Sequence, residues 1–511
     1  MAGNKSIIKS ASIISLATLC SRILGFIRDI VIAAFFGTGA VSEAFFVAFR
    51  IPNLLRNLIG EGAANSAFVP VFCEYREKEK EDFWNLVSSA FWAILLVLAG
   101  IVLLGILFSC PIVGIIAPGF LKEPGKFLLA VRLTRILFPY LLFIGLAAYL
   151  MGILHSFKSF AAPAFGSCLL NICMIISIFI ASRFMPNPVF GLAIGVLVGG
   201  ILQIGIQLPS LFRQGFGLSI LKTKLNFSHP GLKKISRLLI PRIFGSAVYH
   251  LNVLIDTILA SFAFIVGQGA VAAIYYANRI VQFPLALFGI ALFSAVLPTL
   301  SGQAAARDIQ ALKSTLNFSL RTVYFLMLPA AFGLIVLSGP VIRVLFQRGN
   351  FDYYSAQISS SALFFYALGL IFFGGMKILI AGFYSLQDTR TPVKMAALAL
   401  LVNLALNIIL MFPLKVGGLA LASSLSAGFN FLLLYRNLGK QIGRIITKDS
   451  YIYFLKVTGA GLAMLVFIRL FFYKAAVYLN PVPGLALTII LATLVYFGIC
   501  LLLKVEMKPR L

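Results

Sequence analysis

The sequence predicts an all-α polytopic membrane protein with about 14 transmembrane helices. Three observations predict this class: 61% of the 511 residues are hydrophobic, only 11% are charged, and the mean hydropathy is +1.02. A soluble protein of this length cannot bury so much apolar surface. The 42 Lys and Arg exceed the 15 Asp and Glu, for a formal charge of +27. Because these cations are scattered between apolar runs and form no continuous basic face, no nucleic-acid partner is expected.

Apolar runs of membrane-spanning length recur along the whole chain. Their predicted bounds are 11–36, 44–70, 84–109, 128–154, 160–182, 189–212, 238–263, 270–300, 318–339, 355–384, 393–412, 416–435, 452–472 and 483–503. An even number of spans places both termini on one side of the membrane. The predicted connections on that side hold 24 Lys and Arg, whereas the opposite connections, which include Lys126, hold 8. By the positive-inside rule, both termini are expected in the cytoplasm.

An internal repeat relates the two halves of the chain at an offset of about 229 residues. The matched segments are 44–51 with 273–280, 66–70 with 294–298, and 155–163 with 384–392. Six spans separate equivalent positions, so the two lobes have the same orientation in the membrane. We predict an N-terminal lobe at 1–215, a C-terminal lobe at 216–440 and two extra helices at 441–511. Such duplication is typical of transporters, which bind substrate between their lobes.

Charged residues inside the spans are the candidate functional residues, because each costs roughly 2.5–3.5 kcal/mol near the bilayer centre. The first span holds Arg22, Arg28 and Asp29. Neutralisation of Arg28 by Asp29, or snorkelling, is the simpler explanation for one charge near a helix end. However, the two arginines lie on helix faces about 120° apart in mid-span. We therefore predict that both arginines line a cavity.

The second span also carries a polar stripe. Glu43 stands at its start and Arg56 lies further along, while Arg50, Asn53, Asn57 and Glu61 fall on one helical stripe. A lipid-facing stripe of this kind is excluded by its cost, so it lines an aqueous cavity or packs against another polar stripe. A fixed ion network between helices remains the alternative.

The eighth span holds Arg279, flanked by Asn278 and followed by Gln282, with no acidic residue within one turn. Asp256 on the seventh span is the alternative distant partner of this arginine. Across the three spans, arginines outnumber acids, which predicts a net cationic cavity. Guanidinium groups bind phosphate and carboxylate through two parallel hydrogen bonds, so an anionic substrate such as a pyrophosphate fits best. The predicted substrate-binding residues are Arg22, Arg28, Arg50, Arg56, Asn278, Arg279 and Gln282, and the predicted gating ion pairs involve Asp29, Glu43 and Glu61.

A second constellation combines Asp256 with Asn403, Asn407 and Ser423. One carboxylate, two amide carbonyls and a hydroxyl are hard oxygen ligands of low total charge, which suit sodium or a proton. Ordinary hydrogen bonding between helices is the alternative. Apart from such a monovalent coupling ion, no cofactor is expected.

Enzymatic signatures are absent from the sequence. It contains no GxxxxGK[ST] phosphate-binding loop and no GxSxG nucleophile elbow. A lipid-linked cell-wall polymerase would need outer acidic groups, where only Glu123 and Asp352 are placed. A cation-expelling drug antiporter would need a net acidic cavity. We therefore expect a transporter of an anionic substrate and not an enzyme, with the basic connection at 213–237 contacting anionic membrane lipids.

At the level of motifs, the sequence resembles the MurJ (MviN) family of bacterial lipid II flippases. The segments that carry the resemblance are 21–29 (SRILGFIRD), 43–46 (EAFF), 51–56 (IPNLLR), 61–63 (EGA), 276–279 (YANR) and 382–394 (GFYSLQDTRTPVK). They occur in order over essentially the whole chain and include several arginines within membrane spans.

The resemblance implies the multidrug/oligosaccharidyl-lipid/polysaccharide exporter fold. It also implies export of the undecaprenyl-pyrophosphate-linked peptidoglycan precursor across the cytoplasmic (inner) membrane by alternating access. Family members line a central cationic cavity with arginines that correspond to Arg22, Arg28, Arg56 and Arg279. Their last two helices form a groove for the lipid tail, which corresponds to 441–511. A monomer is expected, in contact with cell-wall synthesis proteins.

This chain departs from the family pattern beside two of its arginines. Asn278 and Gln282 stand where the family often has acids, and Asn57 stands where a second basic residue is common. A gating role for those acids is therefore not expected here, and Asp256 is the candidate to replace them. Two alternatives remain open: a flippase for another undecaprenyl-pyrophosphate-linked oligosaccharide, and a cation-coupled drug antiporter of the same fold.

Overall fold

The computed structural model describes residues 2–56, 67–78, 80–217 and 226–505, which form helices joined by short turns. The chain divides into two compact units, Met1–Ser261 and Phe262–Leu511. The first unit contains α1 (Ala2–Phe36), α2 (Ala40–Arg56), α3 (Val69–Lys78), α4 (Lys80–Leu107), α5 (Ser109–Ile116), α6 (Pro124–Leu137), α7 (Tyr140–Ser156), α8 (Ala161–Phe184), α9 (Pro188–Gly205), α10 (Leu208–Phe212) and α11 (Pro230–Ala260). The second contains α12 (Ala263–Val266), α13 (Ala270–Pro284), α14 (Ala291–Ala305), α15 (Ile309–Phe346), α16 (Tyr353–Ser385), α17 (Arg390–Leu414), α18 (Val416–Ile442), α19 (Lys448–Tyr478) and α20 (Pro481–Leu502).

The predicted all-α membrane class is confirmed. Within the described residues, every predicted span falls on one helix or on two consecutive helices. Eleven described helices are long and apolar enough to cross a membrane. The predicted spans 11–36, 44–70 and 238–263 are not among these eleven described helices. The count of fourteen therefore stays a prediction.

Helices α8 and α9 approach each other closely because a row of glycines lines one face of α9. Gly191, Gly195 and Gly199 recur every four residues and so lie on the same helix face. A Cβ atom on Gly199 would lie 2.9 Å from the Cα of Leu170, so only glycine fits there. Small residues at this spacing allow close packing of membrane helices. The row fixes α8 against α9.

The second unit is built around α16, which packs against α15 on one side and α18 on another. The last two helices pack on α15 through tyrosine hydroxyls. Tyr496 of α20 donates a hydrogen bond of 2.8 Å to the carbonyl oxygen of Phe325, and Tyr324 lies 2.7 Å from the Thr458 hydroxyl of α19. Because buried hydroxyls need such partners, these contacts hold α19 and α20 to their own unit.

Two turns in different units share one backbone geometry. Lys158 and Gln387, 229 positions apart, both adopt a left-handed conformation, with φ of 58° and 60°. Just before each turn, the hydroxyls of Ser156 and Ser385 donate to the carbonyl three residues earlier, both at 2.7 Å. Left-handed residues other than glycine are uncommon, so their recurrence at equivalent positions supports the predicted repeat. The predicted lobe boundaries stay predictions.

Candidate functional site

Arg28 of α1 is buried, with 9% of its surface exposed, and is held from two sides. Its Nε and Nη2 donate to the same carboxylate oxygen of Asp29, at 3.0 and 2.7 Å. Its Nη1 donates to the amide oxygen of Asn171 on α8, at 2.9 Å. The predicted gating residue Asp29 therefore pairs with a predicted substrate-binding arginine. Asp29 therefore neutralises Arg28 locally, and Asp29 and Asn171 together fix the orientation of its guanidinium.

Arg22 has a different environment, although it lies on the same helix. Its side chain is exposed, and no described residue forms a hydrogen bond or ion pair with it. No acidic side chain of the described residues therefore neutralises this guanidinium. The two arginines of α1 thus differ in exposure, as their separation around the helix predicts.

Glu43 at the start of α2 is buried, with 1% of its surface exposed. It forms an ion pair with Lys126 of α6, whose side chain is only 3% exposed. Lys126 also lies 3.6 Å from a carboxylate oxygen of Glu123 and sits over the ring of Phe120, 4.2 Å from the centroid. Glu43 thus has a partner on another helix of the same unit.

Lys126 corrects the sequence-based placement of one cation. The apolar pattern predicts that the fourth span begins at 128. Lys126 is then expected before the span, in an outer connection. The helix instead begins at Pro124, a favoured first helical position. Its first turn then carries Lys126 into the interior. The Pro124 signal was present in the sequence, but the partner Glu43, 83 residues away, was not inferable from spacing.

The two arginines of α2, Arg50 and Arg56, are half-buried. Arg56 donates from Nε to the amide oxygen of Asn53 at 3.0 Å, a contact between neighbouring turns of one helix. Arg50 lies two turns earlier on the same helix. The predicted gating residue Glu61 lies outside the described residues.

Arg279 belongs to α13 of the second unit and is half-buried, as are its neighbours Asn278 and Gln282. Their helix is anchored by Tyr276, which is fully buried, with its ring centroid 5.2 Å from that of Phe346. After α13 the chain passes through a π-helical turn, Leu285–Ile290. Such turns interrupt regular helices and recur at functional sites.

The predicted coupling-ion ligands are divided between the units. Asp256 is on α11 of the first unit, whereas Asn403, Asn407 and Ser423 are in the second. Asn407 donates to the amide oxygen of Asn403 at 2.9 Å, and Asn403 in turn lies 3.4 Å from the Ser426 hydroxyl. The Asn403–Ser426 contact joins α17 to α18, as in the interhelical hydrogen bonding named as the alternative, whereas the Asn407–Asn403 contact lies within α17. No group of three or more His, Cys, Asp or Glu among the described residues could hold a metal, and the sodium or proton site stays a prediction.

Asp388, in the GFYSLQDTRTP motif, organises the connection between α16 and α17. Its Oδ1 accepts hydrogen bonds from the backbone N–H groups of Arg390 and Thr391, at 3.1 and 2.9 Å. Its Oδ2 accepts from Gln441 of α18, at 3.0 Å. Hydrogen bonds from Thr391 lower the pKa of this carboxyl below its ordinary value, with smaller contributions from Gln441 and Arg390. The motif therefore contains a structural helix cap.

Replacing Asp388 by alanine is expected to lower the stability of the protein by about 1 kcal/mol at pH 7, the usual cost of losing a helix cap. Because the pKa is lowered in the folded state, the charge-dependent part of this stabilisation is present above the unfolded pKa of about 3.9. It is lost as the pH falls through the folded pKa. Thermal unfolding in detergent at pH 7 and pH 3 measures the change. The difference in stability between Asp388→Ala and the unaltered protein should be smaller at pH 3 than at pH 7. Glu77→Ala, at an exposed position, should show no such decrease.

Comparison with solved structures first gives the fold. The chain superposes on an inward-facing multidrug resistance MATE family transporter of the MOP superfamily with a TM-score of 0.69 at 16% identity, over 83% of this chain and 94% of that one. At this identity, the likeness establishes the fold alone. The chain therefore shares its fold with that transporter, which agrees with the all-α membrane fold predicted from the sequence.

Sequence comparison then gives the family. The model of the family "Lipid II flippase MurJ" matches residues 32–491. A probable lipid II flippase MurJ of Vibrio cholerae is 37% identical over 90% of this chain and 88% of its own length. The lipid II flippase MurJ of Burkholderia cenocepacia is 36% identical, over 88% and 86%. A solved lipid II flippase MurJ in an inward closed conformation gives a TM-score of 0.80 at 29% identity, over 96% of this chain and 98% of that one.

The chain belongs to the MurJ family of multi-pass membrane transporters. The resemblance seen in the motifs is therefore confirmed, and so is the expectation that the protein is not an enzyme. Sequence reasoning missed Asn171 and Lys126, the two residues that hold Arg28 and Glu43 from neighbouring helices. For Asn171, the available sequence signal was a single asparagine within an apolar helix.

Proposed function

We propose that the protein is a lipid II flippase of the bacterial cytoplasmic membrane. It moves the undecaprenyl-pyrophosphate-linked peptidoglycan precursor from the cytoplasmic to the outer leaflet by alternating access, for cell-wall synthesis. The observation that carries this proposal is the match of the MurJ family model across residues 32–491. The protein acts as a monomer with both termini in the cytoplasm, an orientation supported by the excess of Lys and Arg in the connections on that side.

The arginines supply the chemistry that the substrate requires. A pyrophosphate carries negative charge on several oxygens, and a guanidinium can donate two parallel hydrogen bonds to such a group. Arg22 is exposed, while Arg28 is held in one orientation by Asp29 and Asn171. We assign pyrophosphate binding to these two residues and to Arg279, with Arg50, Arg56, Asn278 and Gln282 as further contacts. The lipid tail remains in the bilayer beside α19 and α20.

Ion pairs that include Asp29 and Glu43 are the candidate gating elements, because each carboxylate is buried against a cation of the same unit. A monovalent coupling ion, sodium or a proton, would be bound through Asp256, Asn403, Asn407 and Ser423. Membrane lipids and proteins of cell-wall synthesis are the further partners proposed.

Complementation tests the proposal. The full-length chain, expressed in a bacterial strain depleted of its own lipid II flippase, should restore growth and normal cell shape. Purified protein in proteoliposomes should move fluorescent lipid II between leaflets, and imposed sodium or proton gradients identify the coupling ion. Failure to support growth, with the protein present in the membrane at normal amounts, would contradict the proposal. Faster movement of a different undecaprenyl-pyrophosphate-linked oligosaccharide would favour the alternative substrate.

A further inference from the structure

Asn171 of α8 contacts both parts of α1 that carry predicted substrate-binding arginines. We infer that Asn171 is a positioning residue that orients Arg28 for binding of the pyrophosphate. The inference rests on the proposed function. It adds a residue to the site that acts through Arg28 and does not itself touch the substrate.

The amide of Asn171 uses both of its ends. Its oxygen accepts a hydrogen bond of 2.9 Å from Nη1 of Arg28. Its nitrogen donates to the carbonyl oxygen of Ser21, at 3.2 Å, and to that of Ser167 on its own helix, at 3.1 Å. A carboxamide nitrogen has two N–H groups, so both are used. One buried side chain, 5% exposed, therefore ties α8 to the arginine side chain and to the α1 backbone directly before Arg22.

The guanidinium of Arg28 is consequently fixed along two of its edges. Asp29 binds Nε and Nη2, while Asn171 binds Nη1. A guanidinium is planar and rigid, so contacts on two edges define the direction of the whole group. Fixing a binding group before the ligand arrives reduces the entropy lost on binding.

The support for Asn171 is itself rigid. The preceding residue, Leu170, lies against Gly199 of α9, where a Cβ atom would be 2.9 Å from the Leu170 Cα. A second contact between α1 and α8 joins the Cys168 thiol to the carbonyl oxygen of Ala17, at 3.6 Å. The position of Asn171 is therefore set by helix packing that does not involve Arg28.

Gln207 provides a matched comparison in the same unit. It is a buried amide, 3% exposed, and its nitrogen also donates to two backbone carbonyls, those of Ala147 and Gln203, at 3.2 and 2.9 Å. None of these contacts involves a predicted site residue. If Asn171 served only to join helices, replacing either amide by leucine would have the same kind of effect.

The experiment is a double-mutant cycle on the full-length protein in nanodiscs, with lipid II as the ligand and its Kd as the readout. Asn171→Leu is expected to weaken binding by roughly tenfold or more, as loss of a hydrogen bond to a charged group implies. Gln207→Leu is expected to leave Kd within about twofold. In an Arg28→Ala background, Asn171→Leu should change Kd by less than about twofold, because the group through which it acts is absent.

Equal weakening by Asn171→Leu in both backgrounds would show a structural role and overturn the inference, as would an unchanged Kd in the wild-type background. If the leucine variant does not fold, Asn171→Ser carries the same cycle. A serine there can still donate to the Ser167 carbonyl one turn back but cannot reach Arg28. Failure of the unaltered protein to bind lipid II would instead refute the proposed function, so the two failures are distinguishable.

Discussion

Replacing Lys126 by alanine is expected to destabilise the protein by roughly 3–5 kcal/mol, which lowers the thermal unfolding midpoint by on the order of 10 °C. The change leaves the carboxylate of Glu43 buried without its cationic partner on α6. An uncompensated buried charge is among the costliest defects that a single substitution produces. Thermal unfolding of the purified protein in detergent measures the effect.

Two further variants test this explanation. Arg183→Ala, at an exposed position at the end of α8, should change stability by no more than about 0.5 kcal/mol. The double variant Glu43→Gln with Lys126→Met should be less destabilised than Glu43→Gln alone or Lys126→Met alone, because neither buried member of the pair then carries a charge. Equal unfolding midpoints for Lys126→Ala and the unaltered protein would contradict a buried ion pair between α2 and α6.

The Arg28→Ala variant is expected to lose function, with no growth in the complementation assay and a Kd for lipid II raised roughly 10- to 100-fold. Loss of two or more charge-assisted hydrogen bonds to a pyrophosphate accounts for this magnitude. Arg28→Lys keeps the charge but cannot donate two parallel hydrogen bonds, so it should fall between alanine and the unaltered protein. Arg183→Ala, at an exposed position at the end of α8, is the control and should support growth.

Loss of folding must be separated from loss of binding in this experiment, since Arg28→Ala leaves Asp29 buried with no arginine beside it. The double variant Arg28→Ala with Asp29→Asn removes both charges. It should unfold at nearly the same temperature as the unaltered protein and still fail to bind lipid II. Growth supported by the double variant would refute the assignment of Arg28 to substrate binding.

The helices and the charged residues within them could be predicted from the sequence, because hydropathy and the cost of a membrane charge act on each segment alone. The contacts that these charged side chains make with other helices could not be predicted in this way. Arg28 and Asp29 are adjacent, so their pairing was foreseen as an alternative, whereas Asn171 lies 143 residues away. Contacts between distant segments depend on the packing of α1 on α8, which no local pattern encodes.

The motif at 382–394 illustrates a second limit. Its specificity supported the family resemblance, but the pattern alone does not say what its charged residues do. In the structure, Asp388 caps one helix and binds Gln441 of another. A turn with a left-handed residue, Gln387, needs this kind of local hydrogen bonding. The same types of side chain serve in structural hydrogen bonding, in catalysis and in ligand binding, so only the structure distinguishes these roles.

The adjacent pairing of Arg28 with Asp29 also bears on how the protein is made. During translation, α1 leaves the ribosome first, and the helix that carries Asn171 follows 143 residues later. At about 5–20 residues per second, the delay is roughly 7 to 30 s. Because Asp29 is the next residue in the chain, its carboxylate can neutralise Arg28 from the moment both enter the bilayer. The charge of Arg28 in the newly inserted α1 is therefore neutralised before α8 has been synthesised.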